Sequence, residues 1–259
     1  MANFEAKIRG MKHAYFCMLS VVGLLSLVGC SATKFVPDGQ YLLNKATVKV
    51  EDTHEVLSQD LRNYLQQKQN TEILGFWKLQ LGIYNTASQD TAKWTSRNAR
   101  KIGEPPVIFS EELTERSMQQ LENAMDNKGY FQAEIDTTKE VKDKKLNLTY
   151  HVTANTPYHI RNYTISFPNA DLQQIAASER FRLLHEGMRF DVDVLNQERE
   201  RITRAMRRNG CYFFDKELIR FVADTTRGVR QVDVKICLQE YVNELSDAEK
   251  AMIFRPYKV

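Results

Sequence analysis

Residues 109–131, FSEELTERSMQQLENAMDNKGYF, and residues 190–212, FDVDVLNQERERITRAMRRNGCY, are two copies of one segment at a constant offset of 81. Within it Leu113 matches Val194, Leu121 matches Ile202, Ala124 and Met125 match Ala205 and Met206, and Gly129 matches Gly210. Such self-similarity signals a repeated supersecondary unit, and each position has a physical reading as part of a helix. Ser110 and Asp191 are N-cap types that accept hydrogen bonds from first-turn amides, and Glu111, Glu112 and Asp193 suit the positive end of the dipole. Leu121, Ala124 and Met125, like Ile202, Ala205 and Met206, give one apolar stripe. Gly129 and Gly210 stand where a left-handed residue ends a helix.

The flanks repeat as well. After Gly129, Phe131, Ala133 and Ile135 alternate with polar residues, Lys142-Asp143-Lys144-Lys145 makes a turn, and Leu146, Leu148, Tyr150 and Val152 alternate again, which is a β-hairpin. In the second copy Tyr212 to Val222 leads through Thr225-Thr226-Arg227-Gly228 into Val232, Val234, Ile236 and Leu238. Upstream, Thr47 to Glu51 and Tyr158 to Phe167 read as strands. Val56, Leu57, Leu61, Tyr64 and Leu65 form a helical stripe, matched by Leu172, Ile175 and Ala176 behind a capping Asn169. The unit is β-α-α-β-β. The fold class is α+β: tandem domains, each a three-stranded sheet with two helices on one face.

The N-terminus sets the compartment. Lys7, Arg9 and Lys12 precede the apolar run Tyr15 to Val28, which is shorter than the roughly 20 residues a membrane span needs, so it reads as the core of a secretory signal. Leu27-Val28-Gly29-Cys30 resembles the bacterial lipobox, which implies acylation of Cys30 as the mature N-terminus and anchoring by acyl chains. Ser31 resembles the signal for outer-membrane sorting. The absence of an acidic run after Cys30 favours a periplasm-facing protein.

Gly103-Glu104-Pro105-Pro106-Val107, Asn127-Lys128-Gly129-Tyr130-Phe131 and Pro157-Tyr158-His159-Ile160 resemble the POTRA domain of outer-membrane assembly factors. Together with Cys30 and Phe35-Val36-Pro37-Asp38-Gly39 they are similar to the lipoprotein branch of the BamA/TamA-like superfamily. The expected plan is a signal over 1–29, a lipidated N-terminus and linker over 30–45, a first domain over 46–154 with an insertion over 71–107, and a second over 155–241. Residues 242–259 are expected to hold a linker and the start of a truncated third repeat, because Arg255-Pro256-Tyr257-Lys258-Val259 echoes Thr156-Pro157-Tyr158-His159-Ile160. The transmembrane barrel that the resemblance implies has no counterpart in the alternating pattern of this chain.

Composition and motifs point away from catalysis. With 36 basic and 33 acidic residues the net charge of +3 argues for no nucleic-acid partner. The five histidines form no H-E-x-x-H or cysteine-histidine cluster, and no nucleotide-binding glycine pattern occurs, so no metal, no cofactor and no enzymatic activity are expected. Asp191 and Asp193 are explained by capping. Arg201, Arg204 and Arg208, flanked by Arg199 and Arg207, read as a solvated helix face, with lipid headgroups or an acidic partner as the alternative. The hairpin turn near Arg227 brings Cys237 closer to Asp215 than to Cys211, so no disulfide is expected.

The resemblance implies that the strand after each glycine is an open sheet edge. Its amides and carbonyls would add a strand from unfolded outer-membrane proteins or from subunits of an assembly machinery. The candidate residues are Phe131, Ala133 and Ile135 in the first copy and Tyr212, Phe214, Leu218 and Val222 in the second. The competing expectation is a structural envelope lipoprotein that docks one fixed periplasmic partner.

Overall fold

A computed structural model of the chain describes residues 32–75, 77–88, 93–178, 182–255 and 257. Cys30 and the signal segment lie outside the described residues. The first copy begins with β1 (Leu42–Val50), followed by the short helix α1 (Ser58–Leu61), which runs into a 3-10 turn at Arg62–Tyr64. Two helices of the insertion, α2 (Leu79–Asn85) and α3 (Trp94–Ile102), precede the capped helix α4 (Glu111–Asn127) and the hairpin β2 (Glu134–Lys142) and β3 (Lys145–Thr153). The second copy is β4 (His159–Ser166), α5 (Ala170–Ala176), α6 (Val192–Arg208), β5 (Ile219–Asp224) and β6 (Gln231–Leu238), and a last helix α7 spans Asp247–Phe254.

Each copy contains a three-stranded sheet, in the orders β1-β3-β2 and β4-β6-β5. In the second, β6 runs parallel to β4 and antiparallel to β5. Val232, Val234 and Ile236 of β6 share one buried core with Leu172 and Ala176 of α5 and Leu195, Ile202 and Met206 of α6, so both helices cover one sheet face. In β3 the same alternation buries Leu146, Leu148, Tyr150 and Val152. By compactness the chain divides into two units. One holds the residues up to Lys49 with Leu65–Ser117 and Asp136–His151; the other holds Val50–Tyr64, Met118–Ile135 and everything from Val152. Compactness and repeat therefore cut the chain at different places.

The repeat holds bond by bond. At the end of α4 the Tyr130 amide donates to Met125 O (3.0 Å) and the Gly129 amide to Asp126 O (2.9 Å); at the end of α6 the amides of Cys211 and Gly210 donate to Met206 O and Arg207 O (both 3.1 Å). These pairs satisfy carbonyls that the helix leaves open, and they require a left-handed residue, supplied by Gly129 at φ +86° and Gly210 at φ +94°. Both starts are capped, by amides one position apart in the alignment: Leu113 N donates to Ser110 Oγ (3.3 Å), and Asp193 N to Asp191 Oδ1 (2.8 Å).

Three expectations change in detail. The strands begin later than the alternation suggests, because the chain turns once more after each glycine: Ala133 N donates to Tyr130 O, and Phe214 N to Cys211 O, both at 3.1 Å. In the second copy Asp215 then caps a 3-10 turn over Lys216–Leu218, sending Phe214 and Leu218 into the core at 0% and 7% exposure. The shifted register sets Cys237 opposite Arg220 rather than near Asp215, and Cys211 and Cys237 are free thiols. Within the arginine stripe Arg204 and Arg208 are exposed, but Arg201 is buried: its Nε and Nη2 donate to Glu198 Oε2 and Oε1 at 2.8 and 2.7 Å, and Nη2 also reaches Ala176 O at 2.6 Å. Helical spacing places a side chain on a face, whereas packing of α5 against α6 decides that this one lies beneath the surface.

Residues 240–255 hold a 3-10 turn at Glu240–Glu244 and then α7, which opens with a capping box between Ser246 and Glu249. Of the strand expected over 255–259, Arg255 and Tyr257 are described and neither is in a strand.

A Cβ at Gly129 would stand 2.5 Å from Phe190 O, whereas one at Gly39, also left-handed at φ +78°, would meet nothing. Gly39→Ala is expected to cost about 1 kcal/mol of stability through backbone strain alone, and Gly129→Ala at least about 2 kcal/mol more, as read by urea unfolding.

Candidate partner-binding edge

A three-stranded sheet has two edges, and in each copy one is closed by the chain itself. Beside β1 the Leu43 amide donates to Val107 O and the Phe109 amide to Tyr41 O, both at 2.8 Å. Beside β4 the Ile160 amide donates to Met188 O (2.8 Å), Gly187 N to Ile160 O (2.7 Å) and Phe190 N to Tyr158 O (2.9 Å). Phe109 and Phe190 are the first residues of the repeated segment. The edges left open are β2 and β5, each with a single neighbour in its sheet among the described residues.

The two open edges differ in chemistry. Five of the nine residues of β2 are charged, and Lys139 is paired with Glu111, a pattern that discourages another strand from adding. Strand β5 reads Ile-Arg-Phe-Val-Ala-Asp with charges only at its second and last positions. Arg220 is held by Glu240 at 2.6 Å, Phe221 lies under the Arg199 guanidinium at 5.1 Å, and Val222 is 39% exposed. Of the two edges, β5 is the less charged.

Beside β5, wholly within the second compact unit, lies a cleft of about 470 Å³ reached by Ala223 and Thr225. Its apolar wall consists of Phe131, Tyr158, Phe190 and Val192, and Asp126 and Asn127 at the end of α4 complete it. Phe131 meets the Tyr158 ring edge-on at 5.0 Å and the Phe190 ring at 5.4 Å. The wall is fixed because Tyr158 N donates to Gly129 O at 2.8 Å. Burial pushes the Asp126 carboxyl up.

Behind it Tyr130 is almost wholly buried. Its hydroxyl donates to Glu55 Oε2 (3.2 Å), and Arg189 binds that same oxygen at 2.6 Å while standing 5.6 Å over the Tyr130 ring. Desolvation works against the Arg189 charge, but Tyr130, Glu55 and Asp191 outweigh it and hold the guanidinium above its ordinary pKa. The second copy has Cys211 at the corresponding place, its thiol directed at Phe254 O (3.4 Å) and pushed up in pKa by burial.

Of the seven edge residues expected from the sequence, only Ile135 and Val222 lie on strands, β2 and β5 respectively. Phe131 lines the cleft, Ala133 sits half-buried in the turn, and Tyr212 is exposed in the matching turn. Phe214 and Leu218 are core residues with buried side chains. Tyr158, Phe190, Ala223 and Thr225 line the cleft without being among the edge residues expected from the sequence. The recurrence of an aromatic at 109 and 190 is the sequence signal that would have found Phe190. Among the described residues no group of histidine, cysteine, aspartate or glutamate side chains is placed to hold a metal ion.

Residues 46–155 match the family model POTRA, described as a surface antigen variable number repeat. Among solved structures the chain is similar to POTRA domains 3–5 of Haemophilus influenzae BamA at 16% identity and a TM-score of 0.38, covering 79% of this chain and 69% of that one. It is also similar to Haemophilus ducreyi BamA lacking POTRA domains 1–3, at 13% identity and TM-score 0.37, with 77% and 29% covered. A third similar structure is the N-terminal domain of Omp85 from Thermosynechococcus elongatus, at 15% identity and TM-score 0.32, with 77% and 63% covered. At these scores no residue role passes from those proteins to this one. Among curated proteins no match is found.

The end of β5 is set by Asp224, whose Oδ1 accepts from Thr226 N (2.9 Å) and Oγ1 (2.6 Å). These bonds hold the Asp224 carboxyl below its usual range, chiefly through the Thr226 hydroxyl. A carboxyl depressed on folding stabilises the turn above its unfolded pKa and ceases to do so as pH falls through its folded one. The Thr226 amide resonance is therefore expected to titrate below the ordinary aspartate range, and Asp224→Asn to abolish that titration.

Proposed function

We propose that the chain is the periplasmic POTRA portion of an outer-membrane protein assembly or translocation factor, held at the outer membrane by acyl chains on Cys30. Its partners are unfolded outer-membrane proteins or subunits of the assembly machinery, and its work is binding rather than catalysis. The observation that carries the binding reading is β5: an open, lightly charged edge beside an aromatic cleft. Backbone pairing along such an edge is tolerant of sequence and suits clients that share alternating strands rather than one motif.

A tandem arrangement of domains over 46–154 and 155–241, with a further repeat beginning in 242–259, also fits the hydrogen bonding. Tyr257 N donates to Gly210 O at 3.1 Å, as Tyr158 N does to Gly129 O, and the Phe213 and Tyr257 rings meet edge-on at 6.4 Å as Phe131 and Tyr158 do. These contacts support a second joint of the kind that introduces the second sheet.

Neighbouring amides of an edge strand alternate between the sheet and the outside, so only one of Val222→Pro and Ala223→Pro removes a ladder bond to β6. The variant that keeps the native melting temperature is expected to lose about nine-tenths of photo-crosslinking, from a probe at Arg220, to an unfolded barrel-strand peptide. Undiminished crosslinking in that folded variant would refute strand addition. Crosslinking to one folded envelope protein instead would favour a fixed scaffold.

A further inference from the structure

The insertion over 71–107 has no part in the β5 edge or the cleft, yet it carries the most exposed large apolar side chains of the first compact unit. Ile73 and Trp77 exchange backbone hydrogen bonds at 2.8 and 3.0 Å, closing a tight hairpin tip. Leu74 at that tip is 78% exposed and left-handed at φ 55°, a conformation that costs a leucine and that glycine or asparagine would adopt more easily. On α3, Trp94, Arg97 and Lys101 recur at i, i+3 and i+7 on one exposed face, with Trp94 at 69% and the adjoining Ile102 at 65%. Arg97 and Lys101 form no ion pair among the described residues. The acids Glu72 and Glu104 are engaged within the insertion, Glu72 with Lys78 at 3.8 Å and Glu104 with the Thr71 amide at 2.9 Å.

The same insertion grips the chain just after Cys30. Lys34 Nζ donates to Asn85 O (3.0 Å) and Ala87 O (2.7 Å) at the end of α2, the Phe35 ring meets Tyr84 edge-on at 5.5 Å, and Arg100 of α3 stands over Phe35 at 5.5 Å. Lys34 is four residue steps from Cys30, a reach of at most about 14 Å.

We propose that the insertion is a membrane-surface element: the tip at Leu74 and the Trp94 face of α3 enter the interfacial layer of the bilayer, and Arg97 and Lys101 contact anionic lipid headgroups. The tether distance rests on acylation of Cys30 as proposed above, while the surface itself does not. A narrow leucine tip and one indole bury little against a rigid protein but fit the soft headgroup boundary, where tryptophan and basic side chains are favoured.

The two tryptophans of the chain, Trp77 and Trp94, both lie in the insertion, so intrinsic fluorescence reads it directly. Full-length protein is reconstituted into phosphatidylcholine vesicles containing phosphatidylglycerol, with bromine on the upper acyl carbons of the lipids. Emission is expected to shift to the blue and fall by about half, and the double substitution Arg97→Glu with Lys101→Glu, or Leu74→Asn alone, should restore most of it. Leu74→Asn relieves the backbone, so its melting temperature should not fall. Emission indifferent to brominated lipid overturns the proposal, as does shielding from acrylamide by envelope proteins without lipid quenching. Mass spectrometry of the same sample keeps the two readings apart: quenching without an acyl group refutes the anchor alone, and an acylated protein without quenching refutes the surface alone.

Discussion

The backbone at Gly129 and Gly210 carries the architecture. Each glycine must be left-handed to close the end of its helix, and that turn frees its own carbonyl to accept a bond from an amide far along the chain, Tyr158 in one case and Tyr257 in the other. At Gly129 the approach is so close that the space a side chain would need is taken by Phe190 O. The helix end is therefore also a docking point, and the aromatic wall of the cleft, Phe131 against Tyr158 and Phe190, follows from it.

The same economy explains which edges stay open. The segment entering each capped helix lies along the first strand of its own sheet, through Phe109 to Tyr41 and Phe190 to Tyr158, and covers the edge that would otherwise be exposed there. The hairpin strand on the far side has no such cover. Charge guards β2, whereas β5 has apolar residues in its middle and a cleft beside it. The same strand order thus presents two chemically different edges, and the difference lies in side chains rather than in topology.

Much of this was legible beforehand because it depends on local rules. Caps, apolar stripes and stop glycines act over a few residues, so the repeat, the element order and the α+β class could be read from spacing. The strand boundaries could not. Phe214 and Leu218 continue an alternating pattern, yet the turn after Gly210 and the Asp215 cap divert them into the core. Arg201 has the spacing of a surface arginine, but Glu198 and the end of α5 enclose it.

Sequence by itself determined the tandem β-α-α-β-β units and the places where their helices start and stop, since these follow from hydrogen-bonding and backbone preferences within a turn or two. Tertiary structure alone decided which strands stand at the sheet edges, that Tyr158 and Phe190 join Phe131 in one wall, and that the insertion clasps Lys34 and Phe35 while Trp94 stays exposed. Those outcomes depend on contacts between residues dozens of positions apart, which no local periodicity encodes.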